Sequence, residues 1–116
     1  WNDSNSGGAF EETGLTSITL PKSLQYIGPA TFDGSKLQTV TFAEGSKLKY
    51  IGDGSFGGNQ LTNTGLGKLP SSLTSLATSA FSNNPSLTQI TLTSPTDIEG
   101  WTNGSTVDGK TVVYER

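Results

Sequence analysis

Apolar residues recur along this chain in a fixed order of spacings. Leu15, Ile18 and Leu20 are followed, after a short polar break, by Leu24, Ile27 and Phe32, and the order returns as Leu37, Val40, Phe42, Leu48, Ile51 and Phe56. Within "LQTVTF" at 37–42, Val40 and Phe42 fall on one side of an extended segment and Thr39 and Thr41 on the other. That is the two-residue alternation of a strand with one buried face. One such strand cannot bury itself. Stacking successive windings, each strand beside its equivalent at about 4.8 Å, gives a parallel sheet and a continuous apolar interior.

The phenylalanines set the period. Phe10, Phe32, Phe56 and Phe81 lie 22, 24 and 25 residues apart, and Leu15, Leu37, Leu61 and Leu87 follow each by five or six. A final strand repeats as Leu87, Ile90 and Leu92. The third copy is irregular: "LPSSLTSLATSAF" at 69–81 matches "LPKSLQYIGPATF" at 20–32, but too many residues precede it. Keeping Leu61 in the strand place and inserting a bulged loop after it preserves the step from Phe to Leu; the other reading shifts the strand to Leu66 and Leu69. Pro21 and Pro70 fit just after a strand, where a missing N–H disturbs a ladder least. Gly28 and Gly52 mark a bend or a close backbone approach. Ser35, Asn59 and Asn84 stand three after successive Phe residues, and their short polar side chains can bond neighbouring backbone in a buried turn. A ladder of asparagines is therefore expected.

The reading is a solenoid, mostly β, with a parallel sheet of about four strands and short helical or 3-10 turns. Residues 1–93 form about four coils, the first partial and the third carrying the insertion. Residues 94–116 are a hairpin-like cap or the start of a following segment: Asp108-Gly109 is a hairpin turn pair, "TVVYE" alternates after it, and Trp101 and Tyr114 supply bulk near the open end of the coil.

The pattern Leu-x-x-Ile-x-Leu-Pro-x-x-Leu-x-x-Ile-Gly-x-x-x-Phe resembles the BspA-type leucine-rich repeat of bacterial surface proteins, found also in some protozoan parasites. The resemblance covers about residues 9–93, and "FAEGSKLKYIGDGSF" at 42–56 is its most specific piece. The family often has Ala before the Phe and Cys three after it; here Ala80 is the clear Ala, and Ser or Asn takes the Cys place. The resemblance implies a curved leucine-rich-repeat solenoid displayed outside the cell, in adhesins that bind host matrix or plasma proteins or other bacteria.

Composition narrows the chemistry. Of 116 residues 15% are charged, the net charge is −3, and the seven Lys and Arg are scattered, so the clustered positive field needed for a nucleic-acid partner is missing. Cys, His and Met are all absent, which removes disulfides, the usual zinc ligands and any Ser-His-Asp or Cys-His nucleophile. Glu11, Glu12, Glu44, Asp53, Asp97 and Glu99 could supply a glycosidase pair, but no pair is singled out by its surroundings. Asp33-Gly34-Ser35 and Asp53-Gly54-Ser55 match no calcium loop and read as turns. No cofactor, metal or enzymatic activity is expected. The opening "WNDSNSGGAF" carries no initiator and no signal-peptide pattern, so the chain reads as a segment of something longer. Its Ser, Thr, Gly and Asn content suits a secreted or surface protein, and no apolar run approaches the ~20 residues of a membrane span.

The candidate binding surface is the exposed sheet face. Alternation puts Ser17 and Thr19, Thr39 and Thr41, then Gln89 and Thr91 on it, with Asn63 between. Cross-strand threonines also suit any exposed sheet. Tyr26 and Tyr50 occupy equivalent places and should neighbour each other on the flank, as edge cover or as aromatic contacts. The leading function is an extracellular adhesion module, monomeric, taking a protein or glycan ligand. The alternatives are a non-binding spacer in a larger surface protein and an accessory part of a carbohydrate-active enzyme.

Overall fold

The computed structural model describes residues 16–116; Phe10, Leu15, Glu11 and Glu12, and with them the first partial coil, lie outside the described residues. Along the chain come β1 (Ser17–Leu20), β2 (Tyr26–Ile27), β3 (Thr39–Phe42), β4 (Tyr50–Ile51), α1 (Asn63–Leu66), β5 (Ser75–Leu76), β6 (Gln89–Leu92), β7 (Thr106–Val107) and β8 (Lys110–Tyr114). The longer strands pair in parallel as β1 with β3 and β6 with β8, and the short ones as β2-β4-β5. Equivalent residues meet: Ile18 faces Val40, Ile27 faces Ile51, Ile51 faces Leu76, and Ile90 faces Val112. The chain is a solenoid of about four windings, as the apolar period predicts.

The interior is built from the predicted positions. Leu20, Leu24, Ile27, Val40, Leu48, Ile51, Leu61, Leu73 and Ile90 are all buried in one core. Phe32, Phe56 and Phe81 form a spine of parallel rings, with centroids 5.1 and 5.5 Å apart and planes within 8°. Such stacked pairs add about 0.5–1.5 kcal/mol each beyond the area they bury.

Beside the rings runs the asparagine ladder. Asn59, 2% exposed, accepts from the Leu37 N–H at 2.8 Å and donates to the Phe32 carbonyl at 2.9 Å. One winding on, Asn84 accepts from the Leu61 N–H at 3.1 Å and donates to the Phe56 carbonyl at 2.9 Å. Each side chain therefore satisfies buried backbone groups of the preceding winding that no strand reaches. The hydroxyl of Ser55 does similar work, its one proton shared between the carbonyls of Gly28 and Gly52 at 2.9 and 2.6 Å. Among the described residues, no buried side-chain polar atom lacks a partner.

In the third winding the expected bulged loop is a helical turn. Leu61 keeps its buried place, and α1 follows, capped by Thr62, whose hydroxyl accepts from the Gly65 N–H at 2.9 Å. The path from Leu61 to Leu69 has more residues than an extended segment can fit between fixed buried ends. A helix rises 1.5 Å per residue against about 3.3 Å in a strand, so a helical turn takes up the excess. The chain then rejoins the ladder at a single parallel bridge, Lys68 with Thr91, where the Leu69 N–H donates to the Thr91 carbonyl at 2.9 Å. The longer strands thus form two separate pairs with α1 between them, rather than one unbroken sheet.

At the C-terminal end, β7 and β8 make an antiparallel hairpin around Asp108 and Gly109, whose φ angles of 52° and 80° fit a type I′ turn. β8 also continues the solenoid by pairing in parallel with β6. Trp101 is buried under the short-strand ladder, and its indole N–H donates to the Leu76 carbonyl at 2.8 Å. The Tyr114 hydroxyl donates to the Trp101 carbonyl at 2.7 Å and accepts from the Ile98 N–H at 2.8 Å.

Candidate functional site

The inward side of each strand is consumed by packing, so contact chemistry is left to the outward positions. On β1 and β3, Ser17 stands beside Thr39 and Thr19 beside Thr41, all four exposed. None of their hydroxyls has a partner among the described residues. This part of the expected face is present as a compact hydroxyl patch.

Beyond β3 the face changes character. Asn63, exposed on α1, reaches across to β6: its Oδ1 accepts from the N–H of Thr88 at 2.9 Å and of Gln89 at 3.2 Å, and its Nδ2 donates to the Thr88 hydroxyl at 3.0 Å. A side-chain carbonyl replaces the strand carbonyl that the helical turn removed. Gln89 is half-buried and donates through Nε2 to the Thr91 hydroxyl at 3.0 Å. Thr91 departs from the expectation of exposure: it is only 8% exposed, because the Lys68–Leu69 segment lies alongside it at the parallel bridge. The structure therefore brings together Ser17, Thr19, Thr39 and Thr41, and separates Gln89 and Thr91 from them by α1.

Tyr26 and Tyr50 are paired in register on the other ladder, as their equivalent places predict. Tyr26 is 49% exposed. Tyr50 is half-buried, its hydroxyl so close over Gly52 that a Cβ there would sit 3.0 Å from it and from the Pro29 nitrogen. The expected close approach at Gly52 is thus real. Of the carboxylates weighed as catalytic candidates, Asp53 accepts from the Ser79 hydroxyl at 3.3 Å and Asp97 pairs with Arg116. Among the described residues, no group of three His, Cys, Asp or Glu side chains could hold a metal ion.

The sequence reading missed a cleft. Between the start of β3 and the helical turn opens a hollow of about 560 Å³, lined by Gln38, Thr39, Gln60, Thr62, Thr64, Gly65, Pro85 and Ser86. Its wall depends on Gly65: a Cβ there would lie 2.1 Å from the Gln38 carbonyl oxygen, so only glycine lets α1 rest on the edge of β3. "TNTG" at 62–65 carried the one available signal, a capping Thr three residues before a Gly that begins nothing extended.

The repeating unit now has its three-dimensional counterpart: a four-residue strand, a two-residue strand, a ring in the spine and a polar residue in the ladder. The family model described as the BspA type Leucine rich repeat region (6 copies) matches residues 5–103. The chain belongs to that family. The match runs beyond residue 93 and takes in Trp101, the side chain that closes the short-strand ladder. No curated protein and no solved structure matches the chain. Leucine-rich repeats are protein-interaction and surface repeats, and their solenoid is typically non-catalytic. Among the described residues, no helix is long and apolar enough to cross a membrane.

Proposed function

We propose that this BspA-type solenoid is an extracellular, surface-displayed adhesion or recognition module that binds host or bacterial macromolecules through its outward face. The observation that carries the reading is the hydroxyl patch of Ser17, Thr19, Thr39 and Thr41, exposed, in register and without hydrogen-bond partners among the described residues. Cross-strand packing explains why threonine is tolerated there. It does not account for a flat set of donors and acceptors beside a cleft. The proposed module is a monomer without cofactor or catalysis; the polar side chains Ser55, Asn59 and Asn84 of its interior bond the backbone of neighbouring windings.

The test is the double variant Thr19→Lys with Thr41→Lys, assayed on immobilised extracellular-matrix protein. Binding should fall at least tenfold while circular dichroism stays unchanged. Undiminished binding removes the patch as the site. No binding by the unaltered chain to any matrix protein or bacterial surface tried leaves the spacer reading, in which the solenoid holds other parts of a larger protein away from the cell.

A further inference from the structure

We infer that the cleft beside α1 takes a neutral, hydroxyl-rich oligosaccharide; the inference rests on the recognition reading and gives it a ligand class. At about 560 Å³ the hollow lies in the usual range for small-ligand sites, roughly 300–1,000 Å³. Its contact chemistry comes from six side chains: the amides of Gln38 and Gln60 and the hydroxyls of Thr39, Thr62, Thr64 and Ser86. Among the described residues that line it, none is ionisable or aromatic.

That lining selects by what it withholds. A charged ligand would give up its hydration and meet no opposite charge, a cost that few hydrogen bonds offset. A polypeptide partner draws its affinity from aromatic, Arg or aliphatic anchors seated in apolar pockets, and the lining offers none. Strand addition at β3 is blocked as well, because α1 occupies that edge with Gly65 against the Gln38 carbonyl. A sugar needs neither charge nor anchors. Each of its hydroxyls both donates and accepts, and a carboxamide presents one acceptor and one donor head side by side, matching two adjacent hydroxyls.

The groups are also unspent. The buried amides of Asn59 and Asn84 are committed to backbone, and that of Asn63 to β6. In the cleft, Gln38 Nε2 reaches Gln60 Oε1 only at 3.5 Å, which aligns the two amides while leaving Gln38 Oε1 and Gln60 Nε2 open. The hydroxyls of Thr39, Thr64 and Ser86 have no partner among the described residues. Thr62 accepts from Gly65 and keeps its own proton to donate. The wall behind them is held by the helix cap and by Gly65, so little has to be ordered on binding. The arrangement belongs to the irregular winding, where α1 stands against the start of β3.

The experiment titrates the ¹⁵N-labelled chain with cellotriose, maltotriose, xylotriose and N,N′,N″-triacetylchitotriose, and with sialyllactose as the charged control. At least one neutral trisaccharide should shift Gly65 and the side-chain amides of Gln38 and Gln60. Gln60→Leu should weaken that titration roughly tenfold, the loss of about one good hydrogen-bonded contact. Thr64→Lys, placed on the exposed side of α1, should abolish it while leaving the remaining spectrum in place. The inference is overturned if no neutral trisaccharide moves these resonances, if sialyllactose moves them equally, or if the shifts map elsewhere. The recognition reading is scored separately: matrix binding that fails in the Thr19→Lys, Thr41→Lys double variant but survives Thr64→Lys keeps that reading even when the trisaccharides fail.

Discussion

The third winding of this solenoid keeps one of its sides and rebuilds the other. On the turn side, Phe81 continues the stack at 5.5 Å from Phe56 against 5.1 Å between Phe32 and Phe56, β5 joins β4 in register, and Asn84 repeats the bonds of Asn59. On the sheet side, the same winding gives up its strand for α1 and retains one bridge, at Lys68. The difference lies in what each residue touches. Phe56 stacks on a ring of each neighbouring winding and each asparagine bonds the winding before it, so a change of length there would strand a buried donor or open a cavity. The sheet side borders solvent and can fold its extra residues outward.

That contrast can be broken most directly at the spine. Phe56→Ala removes the middle ring, which is 0% exposed, and should cost about 3–5 kcal/mol in denaturant-induced unfolding. A near-neutral result would mean the rings are not the axis of the fold. Next comes Asn59→Ala, which leaves the Leu37 N–H buried without its acceptor and takes one donor from the Phe32 carbonyl, which the Ser35 N–H still reaches at 3.3 Å; it should cost roughly 2–3 kcal/mol by the same measurement. On the rebuilt side the effects should shrink. Gly65→Ala forces α1 off the Gln38 carbonyl, at about 1–3 kcal/mol, with hydrogen exchange accelerating at 62–67 and not in β4. Smallest of all, the Thr19→Lys, Thr41→Lys double variant should leave stability within about 0.5 kcal/mol while removing adhesion. An inverted order, with Gly65 costing more than Phe56, would place the fold's stability on the wrong side of the molecule.

The same division decides what could be read from the sequence. Periodicity alone located the buried leucines, the ring spine and the asparagine ladder, because each depends on one residue type recurring at one spacing in every winding. The register of Tyr26 with Tyr50 was readable for that reason. α1 was not. Its four residues carry no apolar period, and the sequence says only that an excess lies between Leu61 and Leu69; whether the excess bulges or winds is settled by the fixed distance between two buried ends. The burial of Thr91 was hidden likewise, since alternation assigns it outward and only the Lys68 bridge covers it. The parallel pairing of β8 with β6 escaped too, because "TVVYE" alternates in the same way for a hairpin partner on one edge as for a rung on the other. The cleft residues Gln38 and Gln60 belong to copies that look ordinary in isolation.

The asparagine ladder has a mechanical corollary. Because Asn59 and Asn84 each fasten one winding to the one before it, a tether pulling the two ends apart loads the rungs one after another instead of tearing the whole array together. Each rupture would pay out a loop of 22 to 25 residues, roughly 80 Å of slack at full extension. Stretched from its two ends, such a molecule would lengthen in discrete steps instead of coming apart at once.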